Sequence, residues 1–252
     1  MPWLRQAAAG AAAGLLAVLV AVVAVRHGAP FAVDASVHRW ALAHRSAGWT
    51  GLARGVTFTG TGLPPYALAA LAGALASLSL GDRSRWWRGA IVGVLALALG
   101  QTVRITLATA LARPRPPRGD WATAASGASL PSGHSTTSAL VAIGLAAALC
   151  VGCRRWWTRL LACAVPGVWA VGVGVSRVYL GVHWPTDVLA GWLLATALSC
   201  ALMPRLVAAV LRPARRADAS SGLAPTGGGE GGGAEQDQPQ GDQRRPRGDQ
   251  GQ

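Results

Sequence analysis

The sequence predicts an all-α polytopic membrane protein, a bundle of six transmembrane helices. Hydrophobic residues make up 52% of the 252 residues, charged residues make up only 13%, and the mean hydropathy is +0.36. Soluble domains usually carry about 25% charged residues, so this balance favours a membrane protein. Six separate apolar runs between residues 8 and 203 give the number of spans.

The first apolar run, Ala8 to Val25, is about as long as the roughly 20 residues that cross a bilayer. It exceeds the apolar core of a signal peptide, about 7 to 15 residues, and Arg26 follows it without a clear cleavage site. We therefore expect an uncleaved first span.

The segment 27–64 is mixed in polarity. Val33, Val37, Trp40 and Ala41 recur there at helical spacing, which predicts a short helix lying in the membrane interface. Glycine and proline residues at 60–65 then break the chain before the second apolar run, 66–80.

Four further spans complete the predicted bundle, with expected limits of 89–112, 132–151, 160–175 and 185–203. From Pro213 the composition changes to Gly, Gln, Asp, Pro and Arg, which cannot bury a core. The chain is thus expected to contain a membrane domain, residues 1–212, and a disordered tail, residues 213–252.

The net charge of +13 rests on arginine alone, because the chain has no lysine. The arginines stand in short loops between apolar runs and form no basic face, so membrane topology explains them better than a nucleic-acid partner. Many lie within the segments 81–88, 153–159 and 204–216. This bias predicts a cell-membrane protein with both termini in the cytoplasm, although the segment 27–64, then outside, also carries arginines.

The cysteines predict no metal site. Cys150, Cys153, Cys163 and Cys200 lie in or beside apolar runs and lack a second pair or histidines at zinc spacing, which indicates packing residues. The sequence predicts no cofactor, and it does not indicate an oligomeric state.

Pro131-Ser132-Gly133-His134 opens the fourth span. Ser132 suits an N-cap, and the free amides after it form an anion site that Gly133 lets a ligand approach closely. His134, if protonated, can donate to a departing oxygen. Taken alone, the four residues also fit an ordinary helix start with a surface histidine.

His183 and Asp187 lie four residues apart at the start of the sixth span. On one helical turn the carboxylate can orient the imidazole, and an oriented neutral imidazole is a nucleophile towards phosphorus. Arg177, Arg115 and Arg113 supply guanidinium groups for phosphoryl oxygens.

Ser176-Arg177, five residues, His183, three residues and Asp187 resemble the third motif, SRx5Hx3D, of the type 2 phosphatidic acid phosphatase (PAP2) superfamily. Pro131 to His134 is similar to its second motif, and Arg115-Pro116 to the end of its first, Kx6RP. The resemblance covers residues 8–203. It implies a helical bundle of the PAP2 and haloperoxidase type, in the membrane phosphatase branch, and a phosphohydrolase that needs no metal.

The resemblance also implies roles for individual residues. His183 would form a phosphohistidine, Asp187 would orient it, and His134 would be the general acid. Four more residues would hold the phosphate: Arg115, Ser132, Gly133 and Arg177.

One position departs from the family pattern. The lysine of the first motif is replaced by Ala108, and the alternative register on Arg113 gives Thr106. Arg104 lies one helical turn before Ala108 on the same face, so it is a candidate substitute; the alternative is that it pairs with Gln101 or with a carbonyl elsewhere. The other candidates for the missing charge are Arg113 and Arg118.

The sequence leaves three functions open. The first is a phosphatase for lipid phosphates or diphosphates, such as undecaprenyl diphosphate, phosphatidic acid or phosphatidylglycerol phosphate, with its site outside the cytoplasm. The second is a phosphotransferase that passes the phosphoryl group to a lipid or sugar hydroxyl. The third, supported only by Ala108, is a non-catalytic binder of lipid phosphates.

Overall fold

The computed structural model describes residues 2–80 and 86–211. Within these ranges the regular structure is helical throughout, which confirms the predicted class. The helices are α1 (Pro2–Val25), α2 (Ala32–Ala43), α3 (Ala47–Thr59), α4 (Leu63–Ser79), α5 (Trp86–Leu111), α6 (Gly133–Gly152), α7 (Trp156–Tyr179) and α8 (Pro185–Leu211), with a 3-10 turn at Arg118–Asp120. The predicted tail lies outside the described residues, so its disorder stays a prediction.

Five described helices, α1, α5, α6, α7 and α8, are long and apolar enough to cross a membrane. The predicted second span differs from the structure: α4 is too short alone, but α3 and α4 together, bent by 50° at their junction, supply a sixth. The bend follows from the local sequence, because Gly62 has a φ of +66° and Pro64 and Pro65 occupy the first turn of α4. The chain is a multi-pass membrane protein.

The segment between the first two predicted spans contains two helices. The short helix expected there is α2, whereas the mixed composition of residues 47–59 gave no indication of α3. Helix α2 buries Asp34 and His38 together with Ala41. These polar side chains can be buried because residues far along the chain supply their hydrogen-bond partners.

Helices α4 and α5 approach until their backbones touch. A methyl group at Gly73 would lie 1.9 Å from the carbonyl oxygen of Gly89, and one at Gly93 would lie 2.1 Å from that of Ala69. Only glycine allows this approach, and small residues commonly mediate such contacts between membrane helices. The pair forms one wall of the bundle against α6, which also contacts α7 and α8.

The chain direction of the helices places the polar stretches at one end of the bundle. Helices α5 and α7 end there, α6 and α8 begin there, and the segment 112–132 crosses between them. The backbone N–H of Ser132 donates to the carbonyl of Asp187 at 3.0 Å, which joins the starts of α6 and α8. The motifs therefore meet, as the sequence predicted.

Candidate active site

The start of α6 is a half-buried set of helix amides. Ser132 occupies the N-cap position, as expected, but its side chain does not cap the helix; its hydroxyl instead accepts from the Ser135 hydroxyl at 3.0 Å. The first backbone N–H groups of a helix have no partner within the helix. At Gly133 and His134 these donors carry the positive end of the helix dipole, which suits an anion.

His183 lies between a carboxylate and a guanidinium group. Its Nδ1 is 3.4 Å from Asp187 Oδ2, a long contact without good hydrogen-bond geometry, and its Nε2 is 2.9 Å from Arg115 Nη1. Because arginine only donates, Nε2 accepts this bond and the ring proton stays on Nδ1, facing the carboxylate. The lone pair of Nε2 thus points towards a cationic group, where a phosphoryl group would also be drawn.

The carboxylate of Asp187 is fully buried and held from several directions. Its Oδ1 accepts from Arg113 Nη1 at 2.6 Å, and its Oδ2 accepts from the backbone N–H of Trp184 at 2.8 Å and from the Ser129 hydroxyl. These bonds fix the carboxylate and leave it little freedom to move. The negative charge of Asp187 is therefore fixed beside Nδ1 of the His183 ring.

Arg113 is not placed to bind a phosphate, because it lies between two buried carboxylates. Its side chain is 0% exposed and ion-paired to Asp34 at 2.8 Å and to Asp187 at 2.6 Å, and it also donates to the Thr186 hydroxyl. With both terminal nitrogens committed, it has no free fork for a phosphoryl oxygen. The structure thus differs from the sequence expectation, because two buried carboxylates compete successfully for this guanidinium group.

Asp34 is a member of the site that sequence reasoning missed. Besides Arg113, its fully buried carboxylate accepts from the backbone N–H of Thr186 at 3.0 Å and from that of Phe31 at 3.1 Å. It thereby ties α2 to the start of α8, next to Asp187. The available signal was a lone carboxylate in a membrane chain with few acids, which usually marks a functional position.

Arg115 binds backbone carbonyls of two different loops, the one that contains His183 and the segment 112–132. It donates to the carbonyls of Ser126, Gly127 and Val182 at 2.7, 3.0 and 2.8 Å as well as to His183. Burial lowers the pKa of Arg115, and the charge of Arg104 lowers it further while Asp187 raises it. Because these bonds hold Arg115 firmly, its positive charge stays next to Nε2 of His183.

Arg177 is 3% exposed and reaches the same region from the end of α7. Its Nη1 donates to the Thr57 hydroxyl at 3.1 Å, while its Nε has no hydrogen-bond partner among the described residues. A buried guanidinium N–H without an acceptor is costly, so this group favours an anionic ligand.

His134 and Arg104 complete the cluster. Arg104 lies against Gly133, and the charges of Arg104, Arg115 and Arg177 all act on the partly exposed His134. Arg118 does not join them: it is exposed, with its guanidinium over the Trp121 ring at 5.7 Å. The structure therefore brings together a histidine pair, three arginines and a helix start.

The protonation of His183 is open to direct test. Burial lowers the pKa of His183 to about 4 from its ordinary value of 6.5; Arg115 and Arg177 lower it too, and Asp187 opposes them. We expect the ring to stay neutral at pH 6 and to take up a proton only near pH 4. The chain has 5 histidines, so NMR of 15N-histidine-labelled protein in detergent, with His183→Asn for assignment, resolves the titration. A ring half-protonated at pH 6.5 or above would contradict this.

The chain is similar to known proteins in sequence and in structure. The PAP2 superfamily model matches residues 89–210. An undecaprenyl-diphosphatase of Sulfolobus acidocaldarius is 41% identical over 71 residues, which are 28% of this chain and 30% of that protein. Phosphatidylglycerophosphatase B of Escherichia coli K12 is 41% identical over 75 residues, 29% of this chain and 26% of that protein.

These matches span less than a third of either curated relative's length. Among solved structures, the transmembrane PAP2 type phosphatidylglycerolphosphate phosphatase from Bacillus subtilis superposes with a TM-score of 0.64 at 26% identity. That alignment covers 78% of this chain and 94% of the other. The likeness therefore extends over nearly the whole bundle of the solved protein.

Proposed function

Because this chain belongs to the PAP2 superfamily, we propose that it is an integral-membrane phosphatase for lipid phosphates or lipid diphosphates. The observation that carries the proposal is the position of His183, with Asp187 on one side of its ring and Arg115 on the other. The names of the relatives support the substrate class, since they include an undecaprenyl-diphosphatase and a phosphatidylglycerophosphatase.

In the first step His183 Nε2 attacks phosphorus and the bond between phosphorus and the lipid oxygen breaks. The Arg115 N–H that faces Nε2 would turn to a phosphoryl oxygen, which frees the lone pair and places positive charge on the group being transferred. His134, protonated, gives its proton to the leaving oxygen. The products are a phosphohistidine and a lipid alcohol, or a lipid monophosphate when the substrate is a diphosphate.

In the second step water attacks the phosphohistidine. His134, now neutral, takes a proton from that water, the phosphorus–nitrogen bond breaks, and inorganic phosphate leaves. Asp187 stabilises the positive charge on the His183 ring through both steps without itself taking a proton. Each residue thus returns to its starting state.

The phosphate would be held by charge and by backbone donors. Arg115 and Arg177 supply guanidinium groups, Gly133 supplies its amide, and Ser132 supplies the N-cap that sets the start of α6. Stabilisation of phosphoryl oxygens by arginine needs no metal ion. The described residues also contain no group of three His, Cys, Asp or Glu side chains that could hold one. We propose a reaction without metal on the strength of the arginines.

The site would face the outside of the cell membrane, with both termini in the cytoplasm. The opposite end of the bundle carries Arg88, Arg154, Arg155, Arg159 and Arg205 among the described residues. At the site end, Arg45 and Arg54 bind the carbonyls of Asp120 and Ala122. Cytoplasmic loops attract arginine, so the basic loop at 153–159 supports the proposed orientation, whereas Arg39, Arg45 and Arg54 in the segment 27–64 count against it. A lipid phosphate in the outer leaflet would then meet the site at headgroup level.

The test is phosphate release by the detergent-purified protein in EDTA. The substrates are undecaprenyl diphosphate, phosphatidic acid and phosphatidylglycerol phosphate, with glycerol 3-phosphate as a control that lacks the apolar chain. We expect release from at least one lipid in EDTA and far less from the control. No release by a folded protein, or release only with added metal, would contradict the proposal. A phosphorylated acceptor in place of free phosphate would indicate a transferase.

A further inference from the structure

We propose that Arg104 binds the substrate phosphate and supplies the positive charge that the family's first motif takes from a lysine. This inference rests on the proposed function. The chain has no lysine, and the motif position holds Ala108, which is 4% exposed and adds no charge. The alternative register falls on Thr106, which is exposed on the outside of the bundle. The missing charge must therefore come from another position.

The side chain of Arg104 reaches the anion site at the start of α6. Its Nε donates to the carbonyl of Pro131 at 3.1 Å. A methyl group at Gly133 would lie 2.9 Å from Arg104 Nη2 and 3.0 Å from Cζ, so the guanidinium plane covers the glycine. Although the Cα of Arg104 is about 6 Å deeper along α5 than that of Ala108, the long side chain makes up the difference.

No carboxylate in the described part of the chain compensates the charge of Arg104. Among the described residues it forms no salt bridge, in contrast to Arg113, which binds two carboxylates. The sequence left two alternative partners open for Arg104. Gln101 donates to the Thr137 hydroxyl instead, whereas a carbonyl partner is present, because Arg104 Nε donates to Pro131; among the described residues the two terminal nitrogens of Arg104 have no such bond. A charged side chain within a span is costly and usually serves a function, so an unpaired one next to a helix start calls for an anion.

The glycine explains why the guanidinium group can lie where it does. Any side chain at position 133 would displace Arg104 or be displaced by it, since the gap is under 3.0 Å to Nη2. Gly133 thus leaves its amide and the terminal nitrogens of Arg104 on the same surface, beside His134. These donors would share the equatorial oxygens of the phosphoryl group with Arg115 and Arg177.

The experiment tests whether a lysine at position 104, or at the family's motif position 108, can replace the positive charge of Arg104. Arg104→Met removes the charge at similar size, Arg104→Lys keeps it, and Arg104→Met with Ala108→Lys restores the family lysine. Arg88→Met, on the same helix at the other end, is the matched control. We expect Arg104→Met to lower kcat/KM by about 10²–10³-fold. We expect both lysine variants to have a kcat/KM at least about tenfold above that of Arg104→Met. We expect Arg88→Met to keep a kcat/KM near that of wild type.

Binding of inorganic phosphate, measured by calorimetry, separates this inference from the phosphatase proposal. We expect Arg104→Met to weaken phosphate binding about tenfold or more, a loss typical of a charged hydrogen bond. Unchanged phosphate affinity, or kcat/KM within about threefold of wild type, would overturn the role of Arg104. If wild type released no phosphate from lipids yet its phosphate binding depended on Arg104, the binding role would stand and the phosphatase proposal would fail.

Discussion

Replacing His183 with alanine is expected to lower phosphate release by at least about 10³-fold, because the covalent route then has no nucleophile. Replacing one member of a catalytic unit commonly removes most of what the unit achieves, so the remaining rate should be close to background. The measurement is initial rate on the preferred lipid in EDTA, with folding followed by circular dichroism.

The matched control is His44→Ala, since His44 is exposed and lies outside the cluster. A second readout reports the bond itself: 32P-labelled substrate, quenched in alkali, should label wild type at histidine and leave His183→Ala unlabelled. Activity within tenfold of wild type in His183→Ala, or label on another residue, would disprove the proposed nucleophile.

Arg113→Met is expected to destabilise the protein by about 3–5 kcal/mol, the usual loss when one partner of a buried ion pair is removed. The substitution leaves the carboxylates of Asp34 and Asp187 buried together without their shared cation. For a domain of this size the thermal midpoint should fall by roughly 6–20 °C in detergent. Arg39→Met, an exposed arginine on α2, is the control and should change it little.

The coupling between these groups gives a sharper form of the same test. Adding Asp34→Asn to Arg113→Met removes one of the two uncompensated charges, so the double variant should be less destabilised than the sum of the single variants. Simple additivity, or a thermal midpoint in Arg113→Met equal to that of wild type, would show that the guanidinium is not the charge partner of the two carboxylates. Arg113 would then return to the candidates for phosphate binding.

The features that the sequence determined by itself are local. Apolar runs of bilayer length predicted the spans because each span satisfies its own backbone hydrogen bonds. The start of α6 at Gly133 follows from Ser132, and the spacing of His183 and Asp187 puts both on one turn. Helix direction then brings all the motifs to one end of the bundle. Each of these conclusions needs only residues that are close in sequence.

Tertiary structure alone decided which arginine does what. Two adjacent Arg-Pro pairs look alike in the sequence, yet Arg113 binds Asp34, 79 positions away, while Arg115 faces His183. The position of Arg104 depends on Gly133, on a helix that the sequence does not orient relative to α5. The sequence shows which residues are charged, but the partner of each arginine depends on which groups share the same buried space. That competition is settled only when the helices pack.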